Sequence, residues 1–179
     1  MRNIKKLFFS NTLRRWHFED IVKESGMSRE RVNYYLKQLV KKGFISRTKP
    51  KGKMPYYTAQ RESVIFRLEK RFYGLNLLQK SGLFEHLNTL KNAKSILLFG
   101  SFARGDWDKS SDIDLFIFGD AKDFDKEKFE IELGREIQLF NYKDRKLMKK
   151  ELDPKLIPNM YKGFNIKGGI EPFEVKING

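Results

Sequence analysis

Gly100-Ser101-Phe102-Ala103-Arg104-Gly105 is followed, after five residues, by Ser111-Asp112-Ile113-Asp114-Leu115. The first block has the makings of a turn that receives phosphate. The second sets two carboxylates two residues apart, the arrangement that gathers a hard cation. Ahead of them, Ser95 to Phe99 is an apolar run ending in glycine, which reads as a strand buried on both faces. Gly100 then permits a tight turn, and Ser101 is placed to cap a helix that begins at Phe102. A helix start presents free N–H groups and a positive dipole end to phosphate oxygens. Arg104, in the first helical turn, adds a charge-assisted contact.

Asp112 to Phe118 reads as the next strand. Side chains alternate along it, so Asp112 and Asp114 share one face while Ile113, Leu115 and Ile117 take the other. Carboxylates that close repel unless a cation lies between them. Mg²⁺ suits the pair, since it binds one or two carboxylates together with phosphate oxygens. Two such ions would clamp the attacking and leaving oxygens of a displacement at phosphorus.

The pattern Gly100-Ser101-x-Ala103-Arg104-Gly105-x5-Ser111-Asp112-x-Asp114-Leu115 resembles the signature of the nucleotidyltransferase superfamily related to DNA polymerase beta, and most of all its small prokaryotic branch, the minimal nucleotidyltransferases. That resemblance covers roughly Leu83 to Phe140. It implies an α/β domain with a short mixed sheet, a nucleoside triphosphate (ATP the first candidate) contacted by Gly100, Ser101, Arg104 and Ser111, and Mg²⁺ held by Asp112 and Asp114. It also implies a third carboxylate from a following strand. The candidate strand is Arg135 to Phe140, after a helix over Asp125 to Leu133, and the family's usual spacing puts Gln138 where an acid is expected. An amide is neither a general base nor a good ligand for a hard cation. Glu136, two residues earlier on the same strand face, is the substitute candidate and completes the catalytic set with Asp112 and Asp114.

Charge divides the chain. Residues 1–60 carry 15 Lys and Arg against 4 Asp and Glu, a net +11, while the rest carry 22 against 19, a net +3. A basic third beside a near-neutral remainder points to a polyanion-binding module. Phe18 to Ser25 reads as a helix ended by Gly26, and Ser28 caps a second helix from Arg29 to Lys42. Val32, Tyr35, Leu36, Leu39 and Val40 form the core stripe of that second helix. Gly43 closes it, and Phe44–Arg47 and Pro55–Thr58 read as a hairpin around a basic turn. Helix, turn, helix and hairpin in that order resemble a winged helix-turn-helix of bacterial and archaeal regulators. The resemblance implies double-stranded DNA as a partner of residues 1–60, with Arg29, Arg31, Asn33 and Lys37 on the second helix and Lys49, Lys51 and Lys53 on the wing.

Arg61 to Lys80 reads as a longer amphipathic helix whose stripe (Val64, Ile65, Leu68, Phe72, Leu75, Leu78) is expected to pack within the monomer, with pairing to a second copy as the alternative. Two short helices, Asp144–Lys150 and Pro154–Tyr161, and a strand from Phe164 complete the pattern. The expected class is α+β in two domains: a winged helix-turn-helix over 1–60, a bridging helix over 61–82 and a nucleotidyltransferase-type domain over 83–179. The chain has no cysteine, no signal-peptide core and no membrane-length apolar run, which makes the cytoplasm the expected compartment. Two functions fit: an enzyme moving a nucleoside monophosphate to an acceptor hydroxyl, or a DNA-binding regulator whose domain binds nucleotide without turning it over. Relatives of the minimal branch modify the toxin of a toxin–antitoxin pair, so the resemblance implies a separate helical protein as a further partner.

Overall fold

The protein is described by a computed structural model over residues 2–169 and Phe173. In order it contains α1 (Arg2–Ser10), β1 (Trp16–His17), α2 (Phe18–Ser25), α3 (Arg29–Lys41), β2 (Ile45–Thr48), β3 (Tyr56–Ala59), α4 (Val64–Lys80), α5 (Leu83–Thr89), β4 (Ala93–Phe99), α6 (Gly100–Arg104), β5 (Ile113–Gly119), α7 (Lys126–Leu133), β6 (Ile137–Tyr142), α8 (Arg145–Glu151), a 3-10 turn (Pro154–Leu156), α9 (Ile157–Tyr161) and β7 (Phe164–Lys167). The chain forms two compact units. One runs to Lys70 and takes in Trp107–Lys109; the other comprises Arg71–Asp106 and the chain from Ser110. No described helix is long and apolar enough to cross a membrane.

In the first unit, α2 ends at Gly26, whose φ of 64° is a conformation side chains avoid. The Ser28 hydroxyl then accepts the Arg31 N–H at 3.4 Å and opens α3, a cap worth about 1 kcal/mol. Val32, Leu36 and Leu39 bury the inner face of α3, while Val40, expected in the core, is 38% exposed. Val40 sits at the rim of the stripe, one residue past Leu39, and the helix rotates it outward. β1, β3 and β2 pair antiparallel in that order. Both hairpin strands start one residue later than the sequence suggests. An aromatic cluster fills the middle: Phe9 to Phe44 at 5.4 Å, Phe44 to Phe66 at 4.8 Å and Phe9 to Trp107 at 6.3 Å between ring centroids.

The second unit is built on a four-stranded mixed sheet of order β6-β5-β4-β7. β4 runs antiparallel to β5 and β7, and β5 runs parallel to β6 through the α7 crossover. The register pairs Leu97 with Phe116 and Phe99 with Asp114 on one face, and Ile96 with Ile117 and Leu98 with Leu115 on the other. Both faces are buried, as the continuous apolar runs require. Phe99, Phe116 and Phe118 meet Met148 and Leu152 from α8 and its end, and Met160 from α9.

Three expectations need correction here. The helix after β4 begins at Gly100, with Phe99 at its N-cap position and no side-chain cap; Ser101 lies inside it. Asp112 and Glu136 each sit one residue ahead of their strands rather than within them. And of the stripe read from the periodicity of α4 Leu78 alone is buried and Leu75 half-buried: Phe66, Lys70, Gly74 and Leu78 face inward, while Val64, Ile65, Leu68 and Phe72 stand in water.

Candidate functional site

The site assembles where β4 hands over to α6. Phe99 is opposite Asp114 in the ladder, so the Asp114 side chain arrives beside Gly100. The approach is so close that a Cβ on Gly100 would lie 1.9 Å from Asp114 Oδ2, and Gly100 has a φ of 66° besides. No other residue type fits that position. The Asp114 carboxylate accepts the backbone N–H of Ser101, the second residue of α6. The turn and the carboxylate pair are thereby tied into one site.

Asp114 is half-buried at the end of the apolar column formed by Phe116 and Phe118, with Asp112 exposed next to it. Burial first, and the neighbouring Asp112 charge second, push its pKa from the ordinary 3.8 up to about 6, against the opposing pull of Arg104 and the Ser101 N–H. A carboxyl held in that tension favours a cation beside it. Asp112 and Asp114 thus have the chemistry of a Mg²⁺ pair that leaves coordination positions to phosphate oxygens. The described residues contain no cluster of three or more acidic or imidazole ligands.

The remaining candidates fall around this centre. Arg104 is exposed, and its Nε donates to Asp106 Oδ2 at 3.1 Å. Gln138 is the register partner of Asp114 on β6, one strand away and exposed. Glu136 is exposed as well; its carbonyl accepts the Ile113 N–H at 2.9 Å and so fixes the chain just after Asp112. Arg135 is a residue that sequence reasoning missed. Its Nη1 donates to the Ser111 carbonyl at 2.6 Å, and its guanidinium lies 5.1 Å from the centroid of the Phe102 ring. One side chain therefore touches both halves of the motif. A lone arginine ahead of a strand carries no sequence signal of that role.

In the first unit Arg29, Arg31, Asn33 and Lys37 are exposed on α3, and Lys49, Lys51 and Lys53 are exposed on the turn between β2 and β3. Arg29 is already engaged, paired to Glu19 at 2.5 Å and stacked over Phe18. Tyr34, 60% exposed on the same helix, joins this surface.

A mixed sheet with a Gly-Ser turn at one strand end and paired aspartates at the next is the layout of a nucleotidyltransferase domain, and residues 80–173 match the model of the family described as "Nucleotidyltransferase domain". The chain belongs to that family. It is also 46% identical over 52 residues to a Methanocaldococcus jannaschii protein named "Putative protein adenylyltransferase MJ0604". That match takes in 26% of this chain and 51% of the relative, so the chain spans about half the length of the curated relative it matches.

Proposed function

We propose that this protein transfers a nucleoside monophosphate, with AMP the first candidate, from a triphosphate to an acceptor hydroxyl in a Mg²⁺-dependent reaction, and that its N-terminal unit is a winged helix that binds double-stranded DNA. One observation carries the catalytic part: the Asp114 carboxylate sits against Gly100 and accepts the Ser101 N–H, which draws a cation-binding pair and a phosphate-receiving turn together. Asp112 and Asp114 would hold Mg²⁺, which when bound neutralises triphosphate charge. The N–H groups at the start of α6 would orient phosphate oxygens, and Arg104 would add positive charge where charge builds up. The acceptor oxygen would form a bond to the α-phosphorus as pyrophosphate leaves, with the acceptor's proton passing to Glu136 or solvent. The relative's name supports a protein side chain as acceptor. A partner protein supplying that hydroxyl belongs to the same proposal, as does a cytoplasmic site of action.

The order α1, β1, α2, α3, β2, β3 and the exposed basic residues on α3 and the β2–β3 turn support the winged-helix reading. A second reading, a DNA-binding regulator that binds nucleotide without turnover, is favoured by Gln138 beside Asp114 where an acid would complete the site. Label transfer from α-labelled ATP separates the two. Transfer in Mg²⁺ that disappears in Asp112→Asn supports the enzyme. Mg²⁺-dependent binding of ATP without transfer to protein, DNA or the chain itself supports the regulator. Absence of binding for all four ribonucleotides would sink both.

A further inference from the structure

At the end of the sheet remote from Asp114, a cleft of about 740 Å³ opens across the strand ends of the second unit. Asp114, Phe116 and Phe118 share one face of β5, so Phe118 stands roughly 13 Å down the strand from Asp114. It lines the cleft together with Lys94, Lys143 and Arg145, all three exposed. These cations come from two distant places in the chain, the start of β4 and the turn from β6 into α8. Neither the chemistry at Asp112 and Asp114 nor the basic surface of residues 1–60 uses them.

Backbone geometry fixes the walls. In the β4–β5 ladder Ala93 faces Gly119 and Ser95 faces Phe118, which leaves Lys94 as the extra residue of a bulge. A bulge re-aims the side chain it carries. Gly168 closes on Lys94 from the end of β7: a Cβ there would lie 2.0 Å from the Lys94 carbonyl oxygen, and its φ is 64°. Only glycine lets the chain pass so close. The buried Ser95 hydroxyl donates to the Gly169 carbonyl at 2.5 Å and holds that segment against β4. On the opposite wall the Asp144 carboxylate accepts the Leu147 N–H at 2.8 Å. Among the described lining residues Asp144 is the one acid, and it is committed to capping α8.

Three cations against one carboxylate select an anion, and their arrangement narrows its kind. Cations gathered round a hollow suit a compact polyanion, whereas a nucleic-acid backbone is tracked by cations strung along a groove. A lone phosphate would fill little of the cleft, whose volume is that of a site for a small organic ligand. Phe118, 9% exposed, adds apolar surface beside the charges. With a single acid in the described lining, the cleft has no carboxylate pair with which to recruit Mg²⁺. Phosphate oxygens would meet the ammonium and guanidinium groups directly.

We infer that this cleft is a metal-independent site for a compound with two or three linked phosphates, a nucleoside polyphosphate or an inorganic oligophosphate, held by Lys94, Lys143 and Arg145. The inference does not rest on the proposed transfer reaction. Calorimetric titration of the full chain with tripolyphosphate in EDTA should show saturable binding, and Asp112→Asn/Asp114→Asn should bind equally well. Lys94→Ala and Lys143→Ala should each weaken that binding by about tenfold or more. Lys49→Ala/Lys51→Ala/Lys53→Ala should leave it unchanged, which separates the cleft from the β2–β3 turn. Excess Mg²⁺ should weaken binding here by neutralising the ligand, the reverse of its expected effect at Asp112 and Asp114. Lysine acylation read by mass spectrometry should find Lys94 and Lys143 protected by tripolyphosphate and exposed Lys23 labelled as before. ATP that binds more tightly than tripolyphosphate in EDTA would identify the ligand as a nucleotide with its base near Phe118; equal or weaker binding would identify the phosphate chain alone. Absence of saturable binding at concentrations on the order of 1 mM overturns the inference. So does binding undiminished in Lys94→Ala/Lys143→Ala, and so does binding lost with the lysines of the β2–β3 turn. Protection of Lys94 and Lys143 by a nucleic-acid strand but not by tripolyphosphate would give the cleft to a nucleic-acid backbone and overturn it equally.

Discussion

Asp114 is held by opposing influences: burial and the Asp112 charge favour its proton, while Arg104 and the Ser101 N–H favour its charge. The first pair prevails, so the folded protein binds this proton more tightly than the unfolded chain does. Its contribution to stability is complete below pH 3.8 and is lost as the pH rises through about 6. Asp114→Asn keeps an acceptor for the Ser101 N–H and cannot ionise. The melting temperature of that variant should match wild type near pH 4 and exceed it increasingly up to pH 7 in metal-free buffer, and parallel curves across the range would contradict the burial account. Saturating Mg²⁺ should shrink the difference by stabilising the ionised wild type alone. Gly100→Ala is the sharper perturbation, because its Cβ would collide with the carboxylate at 1.9 Å and the backbone is left-handed there. A strained φ of that kind costs about 1–3 kcal/mol. The substitution should lower the melting temperature and abolish nucleotide binding together; unimpaired binding in a titration of ATP would mean that Asp114 does not need its place against the turn.

Arg135 connects elements that local sequence does not connect. It reaches from the start of β6 to the Ser111 carbonyl ahead of β5 and to Phe102 on α6, so it holds the turn and the carboxylates in fixed relation. A hydrogen bond from a charged group contributes about 1.5–3 kcal/mol. Arg135→Ala should therefore weaken Mg²⁺-dependent ATP binding by about tenfold or more, with Arg135→Lys recovering only part because it lacks the planar donor fork. If calorimetry shows a lower melting temperature with unchanged affinity, Arg135 braces the fold and nothing more. Elements governed by neighbouring residues were legible in the sequence: Ser28 and Gly26 bound the helices α2 and α3, and the Gly-Ser turn and the aspartate pair, singled out by their spacing, come together in the fold where Asp114 lies against Gly100. What depends on distant partners was not. The periodicity of α4 identified an apolar face but not which face the rest of the chain covers, and the covered one includes Lys70 and Gly74, which no hydrophobic pattern selects. α1 and α5 were missed as well. α1 is a nine-residue segment with no cap signal, while Ile4, Phe8 and Phe9 are drawn into the core by tertiary contacts.

At the scale of the whole molecule, net charge is concentrated in the first third of the chain. The net +14 resides mostly in residues 1–60, and exposed basic residues of that stretch stand on α3 and on the β2–β3 turn. If both lie on DNA, each lysine that neutralises a phosphate contributes about 0.9 to the slope of log affinity against log salt. Lys49→Ala/Lys51→Ala/Lys53→Ala should therefore flatten that slope by about 2.7 while leaving any preference among sequences intact, since phosphate contacts position the protein without reading bases. Asn33→Ala and Lys37→Ala, on the helix that would enter the major groove, should instead reduce discrimination between sequences. Fluorescence anisotropy on labelled duplexes over about 50–200 mM salt measures both quantities at once.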